Sequence, residues 1–379
     1  MTDHPVAPGA TWERLAPLLR RVLDSEDDAV VVQTSGSSGE PKRVRLPGPA
    51  LRASGEATAQ VVGHGRWVLA LPTHHVAGLQ VLARSVLAGT SPVPVGPVPG
   101  MPFRPAPFAA AVDEAHGHDV VQAAARTGDS PPVLTSLVPT QLARLLEDPV
   151  GVDALQRVTV LLGGAAADPG LLAQAREAGA EVHTTYGMSE TCGGCVYDGV
   201  PLPGVRVRID PSDERVHLGG PVVAGGYLDR PGLTAERFLV DAEGTRWFVT
   251  DDRGRWDAAE GQLTVLGRLD DVIVTGGHKV EPRDVEAALR LLPQVRDALV
   301  VGLPDPEWGQ RVAALLVATG DPSTLAELRT ALSPTLPPHA LPRQVAWRDA
   351  IPLLGSGKPD RATALADLAG ETPQEAVAE

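Results

Sequence analysis

The feature that most constrains the fold is an alternation. Between Ala29 and Thr184, short β-branched or apolar runs are separated by stretches with helical spacing. The strand candidates are Ala29 to Gln33, Trp67 to Leu71, Val133 to Leu137, Val158 to Leu162 and Glu181 to Thr184. An amphipathic helix around Trp12 to Leu23 comes first, and helical patterns such as Pro139 to Leu146 and Gly170 to Ala178 fall between strands. Such alternation implies a layered α/β domain. From Val205 the pattern changes to short strands with turns: Val205 to Ile209, Arg215 to Leu218, Arg246 to Thr250 and Leu263 to Leu266. These predict a smaller antiparallel sheet. Helix Pro282 to Leu292, strands Arg296 to Leu303 and Val312 to Ala318, and helix Ser323 to Leu332 then predict an α+β unit of about 110 residues, large enough to fold alone. The boundary falls at Asp270, giving an N-terminal domain of residues 1–269 and a C-terminal domain of residues 270–379.

Composition narrows the function. With 33 Lys plus Arg against 47 Asp plus Glu, the net charge is −14, which argues against a sequence-independent grip on nucleic acid or on an anionic membrane. Any anionic ligand needs a local site. Met1 to Arg20 lacks the basic start and apolar core of a secretion signal, and no run approaches the roughly 18 apolar residues of a membrane helix. A cytoplasmic protein without membrane insertion is therefore expected. The two cysteines, Cys192 and Cys195, lie in Cys-Gly-Gly-Cys. A redox pair is formally open, but no thioredoxin-like βαβ pattern surrounds them, so the favoured expectation is a mobile glycine loop that carries two thiols.

Five clusters carry chemistry. The first is the loop Thr34-Ser35-Gly36-Ser37-Ser38-Gly39-Glu40-Pro41-Lys42, whose hydroxyls, glycines and lysine suit a nest for phosphate oxygens. It does not fit a Walker A loop. The second, Thr184-Thr185-Tyr186-Gly187-Met188-Ser189-Glu190, offers an aromatic face for a purine, a hydroxyl for phosphate and a carboxylate suited to Mg²⁺. The third is Thr250-Asp251-Asp252-Arg253-Gly254, where an acid after a strand could accept ribose hydroxyls. The fourth runs from Gly267 and Arg268 through Asp270 and Gly276-Gly277 to Pro282; the paired glycines suit either a close-passing ligand arm or a plain turn. The fifth, Gly355-Ser356-Gly357-Lys358-Pro359, presents a glycine-flanked lysine able to meet a developing negative charge.

In order and spacing, these clusters resemble the adenylate-forming superfamily of acyl-CoA synthetases, peptide-synthetase adenylation domains and luciferases. Gly226-Tyr227-Leu228 and Leu303 to Gly309 between them add to the likeness, which covers about Val31 to Arg361. Within the superfamily, Leu71 to Leu79, Thr135 to Leu142 and Leu161 to Ala165 look most like the o-succinylbenzoate–CoA ligases of menaquinone synthesis. The chain departs from most relatives in placing the phosphate loop near residue 34, so a trimmed N-terminal part is expected and a homodimer that completes the cleft is left open.

The resemblance implies a large N-terminal layered α/β domain with a smaller antiparallel β subdomain, a small mobile α+β C-terminal domain, and ATP, Mg²⁺, CoA and a small acyl or aromatic acid as ligands. Thr34, Ser35, Gly36, Ser37, Ser38, Gly39 and Lys42 would cradle the β- and γ-phosphates. Gly163, Gly164 and Ala165 with Thr185, Tyr186 and Gly187 would frame adenine. Ser189 would contact the α-phosphate and Glu190 would hold Mg²⁺. Asp252 would accept the ribose hydroxyls beside Arg268, and Lys358 would bridge the attacking carboxylate and the α-phosphate. Asp270 would be the hinge, and Gly276 and Gly277 would border the CoA channel.

For the acid, the sequence offers His75, Arg84 and Ser136. Arg84 lies in the apolar stretch Gly78 to Leu87, where an unpaired guanidinium must either reach water or meet an anion, and the second is expected. His74 is expected to be structural, and Gln141 fits either a pocket or a helix start. Rival readings are a ligase for another small acid, a peptide-synthetase adenylation domain and, from another class, a nucleotide-binding regulatory protein without chemistry. Intact Lys42, Glu190, Asp252 and Lys358 argue against the last.

Overall fold

A computed structural model describes residues 2–34, 41–96, 103–117, 131–354 and 359–370. The chain is α/β and divides into two compact units. The first comprises Met1–Arg208, His217–Thr250 and Trp256–Leu263; the second comprises Ile209–Val216, Asp251–Arg255 and Thr264–Glu379.

In the first unit a seven-stranded sheet runs Val200–Pro201, Gly193–Tyr197, Glu181–Met188, Thr159–Leu162, Val133–Leu137, Arg66–Leu69, Val93–Pro94. The five strands from Glu181–Met188 to Val93–Pro94 are parallel. Val133–Leu137 and Thr159–Leu162 are buried along their whole length, as expected of parallel strands covered on both faces. Both edge strands are two residues long and end in proline. A second sheet runs Thr2–Pro5, Asp28–Gln33, Arg43–Pro47, Gly226–Tyr227, so the strands flanking the serine-rich loop form an antiparallel pair. Helix Trp12–Asp24 buries Leu15, Leu19, Val22 and Leu23, one stripe at helical spacing, against this region. Each such leucine contributes about 1.5–3 kcal/mol.

The expected glycine loop at Cys192 to Cys195 is corrected. Gly193–Tyr197 is a strand folded back antiparallel on Glu181–Met188, with Gly187 opposite Gly194 and Met188 opposite Gly193. Small residues on both strands allow the close approach, and this pairing carries the Glu181 strand on to Met188, past the expected end at Thr184. Helices Gly48–Val62, Val76–Leu87 and Pro105–Gly117 also lay outside the sequence reading.

The second unit holds the sheet path His278–Val280, Ile273–Thr275, Gly309–Ala318, Val295–Asp305, with Gln344–Arg348 also paired to Gly309–Ala318. Helices Pro282–Arg290 and Leu325–Leu332 pack Val285, Leu289, Leu325, Leu328 and Leu332 into its core. Thr324 starts the latter helix with a capping box, its hydroxyl accepting from the Glu327 N–H and the Glu327 carboxylate accepting from the Thr324 N–H.

Candidate active site

Ser35, Gly36, Ser37, Ser38, Gly39 and Lys358 lie outside the described residues. The ends of the first cluster are fixed nonetheless. The Thr34 N–H donates to the Lys42 carbonyl at 2.8 Å, and the Lys42 N–H donates to Thr34 Oγ1 at 3.2 Å, so the two residues clasp the mouth of the serine-rich segment.

Several expected residues gather at the carboxyl ends of the parallel strands, the edge at which open α/β sheets bind ligands. Leu137, Leu162 and Thr184 are in register across three strands. Just past them, the Gly163 N–H donates to the Leu137 carbonyl at 3.0 Å and Thr185 Oγ1 donates to the Leu162 carbonyl at 3.1 Å. Gly163, Gly164 and Ala165 thus leave the sheet beside Thr185, Tyr186 and Gly187. A Cβ at Gly163 would stand 2.4 Å from Thr185 Oγ1, so glycine is needed for this approach. Ser136 lies in strand Val133–Leu137, 7% exposed.

Ser189 and Glu190 form a short 3₁₀ turn. Glu190 is 8% exposed, and its Oε1 accepts a hydrogen bond of 2.8 Å from the Tyr227 hydroxyl. Its carbonyl accepts from the Ala224 N–H at 2.9 Å. Tyr227 also carries Lys42 Nζ over its ring, 5.4 Å from the centroid. Lys42, expected to meet phosphate, and Glu190, expected to meet the metal, are far apart in sequence yet meet one tyrosine. Among the described residues no group of three or more His, Cys, Asp or Glu could hold a metal ion. A single buried carboxylate fits Mg²⁺ that rides on polyphosphate oxygens, because this ion is commonly bound through one or two carboxylates plus substrate phosphates.

His75 precedes helix Val76–Leu87, with its ring 4.2 Å from that of His74. Gln141 settles at the helix start: its Oε1 accepts from the Val138 N–H at 3.1 Å and its Nε2 donates to the Ala70 carbonyl at 3.0 Å. Arg84 is 6% exposed, so its guanidinium does not reach water. It lies over Trp67 at 5.2 Å and donates to the Tyr197 hydroxyl at 3.3 Å, while Nε is buried without a partner among the described residues. Thr58 shares that tyrosine hydroxyl at 3.0 Å. No carboxylate pairs with Arg84 among the described residues.

The two thiols, one ending the Ser189 turn and one in the strand that follows, are buried. Burial pushes the Cys195 thiol up to about 12 and raises that of Cys192 as well, so both are protonated and unreactive near neutrality. The Cys192 carbonyl accepts from Gln80 Nε2 at 2.6 Å and from Ser54 Oγ at 3.1 Å.

In the second unit, Asp252 is 9% exposed and Arg268 grips Asp270 through two hydrogen bonds of 2.7 and 2.6 Å. Burial opposes the Arg268 charge, but the Asp270 carboxylate, with Asp252 and Asp271 nearby, raises its pKa further. Arg253 is clamped by Glu214 and Glu281. Gly276 and Gly277 form the two-residue turn of the hairpin Ile273–Thr275 and His278–Val280, with φ of 55° and 80°. Two consecutive positive φ values explain the glycine pair. Leu353 and Pro359 bridge across the segment that carries Lys358, and Arg361 pairs with Asp271 at 3.1 Å and Glu286 at 3.0 Å.

Residues 5–228 match the AMP-binding enzyme family, and residues 284–358 match the AMP-binding enzyme C-terminal domain. The chain belongs to this family. A probable 2-succinylbenzoate–CoA ligase of Mycobacterium tuberculosis is 43% identical over 97% of this chain and 92% of its own length. The o-succinylbenzoate CoA synthetase MenE of Bacillus subtilis, solved with the acyl-adenylate intermediate OSB-AMP, superposes with a TM-score of 0.71 at 28% identity, over 93% of this chain and 71% of that one. MatB of Rhodopseudomonas palustris shares the fold, with a TM-score of 0.77 at 24% identity over 90% of this chain and 69% of that one.

In this family member, sequence reasoning missed the buried network of Thr58, Arg84 and Tyr197, and the link from Lys42 through Tyr227 to Glu190. Gly226-Tyr227-Leu228 was visible as a motif, but no spacing signals that its ring and hydroxyl serve two distant clusters.

Proposed function

We propose that the chain is an ATP-dependent, AMP-forming ligase that joins o-succinylbenzoate to CoA in menaquinone biosynthesis. The observation that carries this is the near-full-length identity to a relative named for that activity. The meeting of Lys42 and Glu190 at Tyr227, beside the strand ends, gives it a site. A carboxylate oxygen of the acid attacks the α-phosphorus of ATP and pyrophosphate leaves; the thiol sulfur of CoA then attacks the acyl carbon and AMP leaves. No side chain need act as base in the first step, because the acid is already ionised at neutral pH.

Within this reading, Lys42 with Thr34 and the serine-rich segment holds the β- and γ-phosphates. Gly163 to Ala165 and Tyr186 frame adenine, Ser189 contacts the α-phosphate, and Asp252 and Arg268 hold the ribose. Mg²⁺, when bound, neutralises charge on the polyphosphate, and Glu190 is its protein ligand. Lys358 bridges acid and α-phosphate, and Asp270 serves as the hinge of a C-terminal domain from residue 270. His75, Ser136 and the buried Arg84, whose Nε has no partner among the described residues, receive the acid; a dicarboxylate would supply the anion that the guanidinium lacks among those residues. Substrates of this kind place the protein in the cytoplasm, and a homodimer is the assembly to test by sedimentation.

The deciding assay supplies o-succinylbenzoate, ATP and CoA and identifies the product by mass. The succinylbenzoyl thioester with stoichiometric AMP is expected. Turnover of benzoates or fatty acids but not succinylbenzoate would remove the substrate assignment and leave a ligase for another acid.

A further inference from the structure

Tyr227 joins two groups that the proposed reaction needs and has no role of its own in it. Its backbone is fixed first. Strand Gly226–Tyr227 pairs antiparallel with Arg43–Pro47, Tyr227 opposite Val44, and the Leu228 N–H donates to the Arg43 carbonyl at 2.8 Å. The Tyr227 N–H donates to Thr234 Oγ1 at 2.9 Å. The ring is held next: it is 6% exposed and meets Phe238 edge-on, 5.3 Å between centroids. A side chain so constrained has one position available to its hydroxyl, and there it donates to Glu190 Oε1. The ring's electron-rich face is equally fixed, and Lys42 Nζ lies within cation–π range of it.

We propose that Tyr227 is a positioning residue for the MgATP site, its ring placing the Lys42 ammonium and its hydroxyl placing the Glu190 carboxylate. One rigid side chain thereby sets the separation between a cation that would meet the terminal phosphates and a carboxylate that would hold the metal. Without it, lysine and glutamate of opposite charge could collapse into a direct ion pair that polyphosphate would have to break. The inference rests on the roles given above to Lys42 and Glu190.

The test is calorimetric ATP binding to the full chain, with and without Mg²⁺, for Tyr227→Phe, Tyr227→Leu and Glu190→Gln. Tyr227→Phe keeps the ring and loses only the hydroxyl. It should lower the gain in ATP affinity conferred by Mg²⁺ roughly tenfold, as expected for a hydrogen bond to a charged group, and leave Mg²⁺-free affinity within about twofold. Tyr227→Leu should in addition weaken Mg²⁺-free binding several-fold, because Lys42 loses its platform. If Glu190→Gln abolishes the Mg²⁺ gain while Tyr227→Phe leaves it intact, the positioning role is wrong and the metal ligand stands. If Glu190→Gln keeps the full gain, the assignment of Glu190 itself fails. An equal loss with and without Mg²⁺ in Tyr227→Phe would mark a purely structural tyrosine and also overturn the proposal.

Discussion

At the scale of residues, the buried thiols make a pH-dependent statement. The Cys195 thiol ionises near 9 when unfolded and near 12 in the fold, so the native state holds its proton more tightly. The associated stability is intact below about pH 9 and is lost as pH rises toward 12. Replacing Cys195 with Ala should therefore flatten the alkaline fall in the urea midpoint between pH 9 and 11, relative to the parent chain. An unchanged slope would show that the thiol is accessible. The sequence placed both cysteines two and five residues beyond Glu190, but their inertness depends on burial, Cys195 within the strand Gly193–Tyr197 and Cys192 just before it. That strand pairs with its own neighbour in sequence, yet it leaves no periodic trace in so glycine-rich a stretch.

Elements built on strong local patterns were the most legible. Helix Pro139–Leu146 and strand Val133–Leu137 match their expected limits, because apolar spacing and a helix-starting proline mark them. Helix Gly48–Val62 escaped notice, since Gly and Pro open it and Ala, Ser and Thr fill it, leaving little contrast between faces. The approach of two strand ends at Gly163 and Thr185 was legible only as a motif; its distance belongs to the assembled sheet. Gly163→Ala should cost about 1–3 kcal/mol by overpacking, read from urea unfolding. The double substitution Gly163→Ala, Thr185→Ala should cost less than the sum of the singles, because removing the hydroxyl relieves the clash. In the second unit, Gly276→Ala meets both a positive φ and the Trp308 ring at 2.6 Å, and should destabilise that unit by about 1–2 kcal/mol.

For the whole molecule, the separable half-reactions of the proposed ligase give the sharpest prediction. Lys358→Ala should slow adenylate formation by roughly 10²–10³-fold if the lysine acts like one preorganised oxyanion donor. Thioester formation from supplied acyl-adenylate should be spared. Equal loss of both half-reactions in stopped-flow assays would contradict its assignment to the first step alone. The clusters proposed to bind phosphate and to frame adenine were readable because each is contiguous and ordered along the chain. The tyrosine that ties Lys42 to Glu190 was not, because its contacts exist only after strands distant in sequence align.

The seven-stranded sheet also limits how this protein can associate. Its two margins, Val93–Pro94 and Val200–Pro201, are stubs that finish in a residue with no amide hydrogen to offer. Among the described residues both margins are thus poor templates for a further strand, which disfavours a second copy that continues this ladder. A contact made along either margin of this sheet would therefore rest on side chains, and single substitutions that leave the sheet intact could disrupt it.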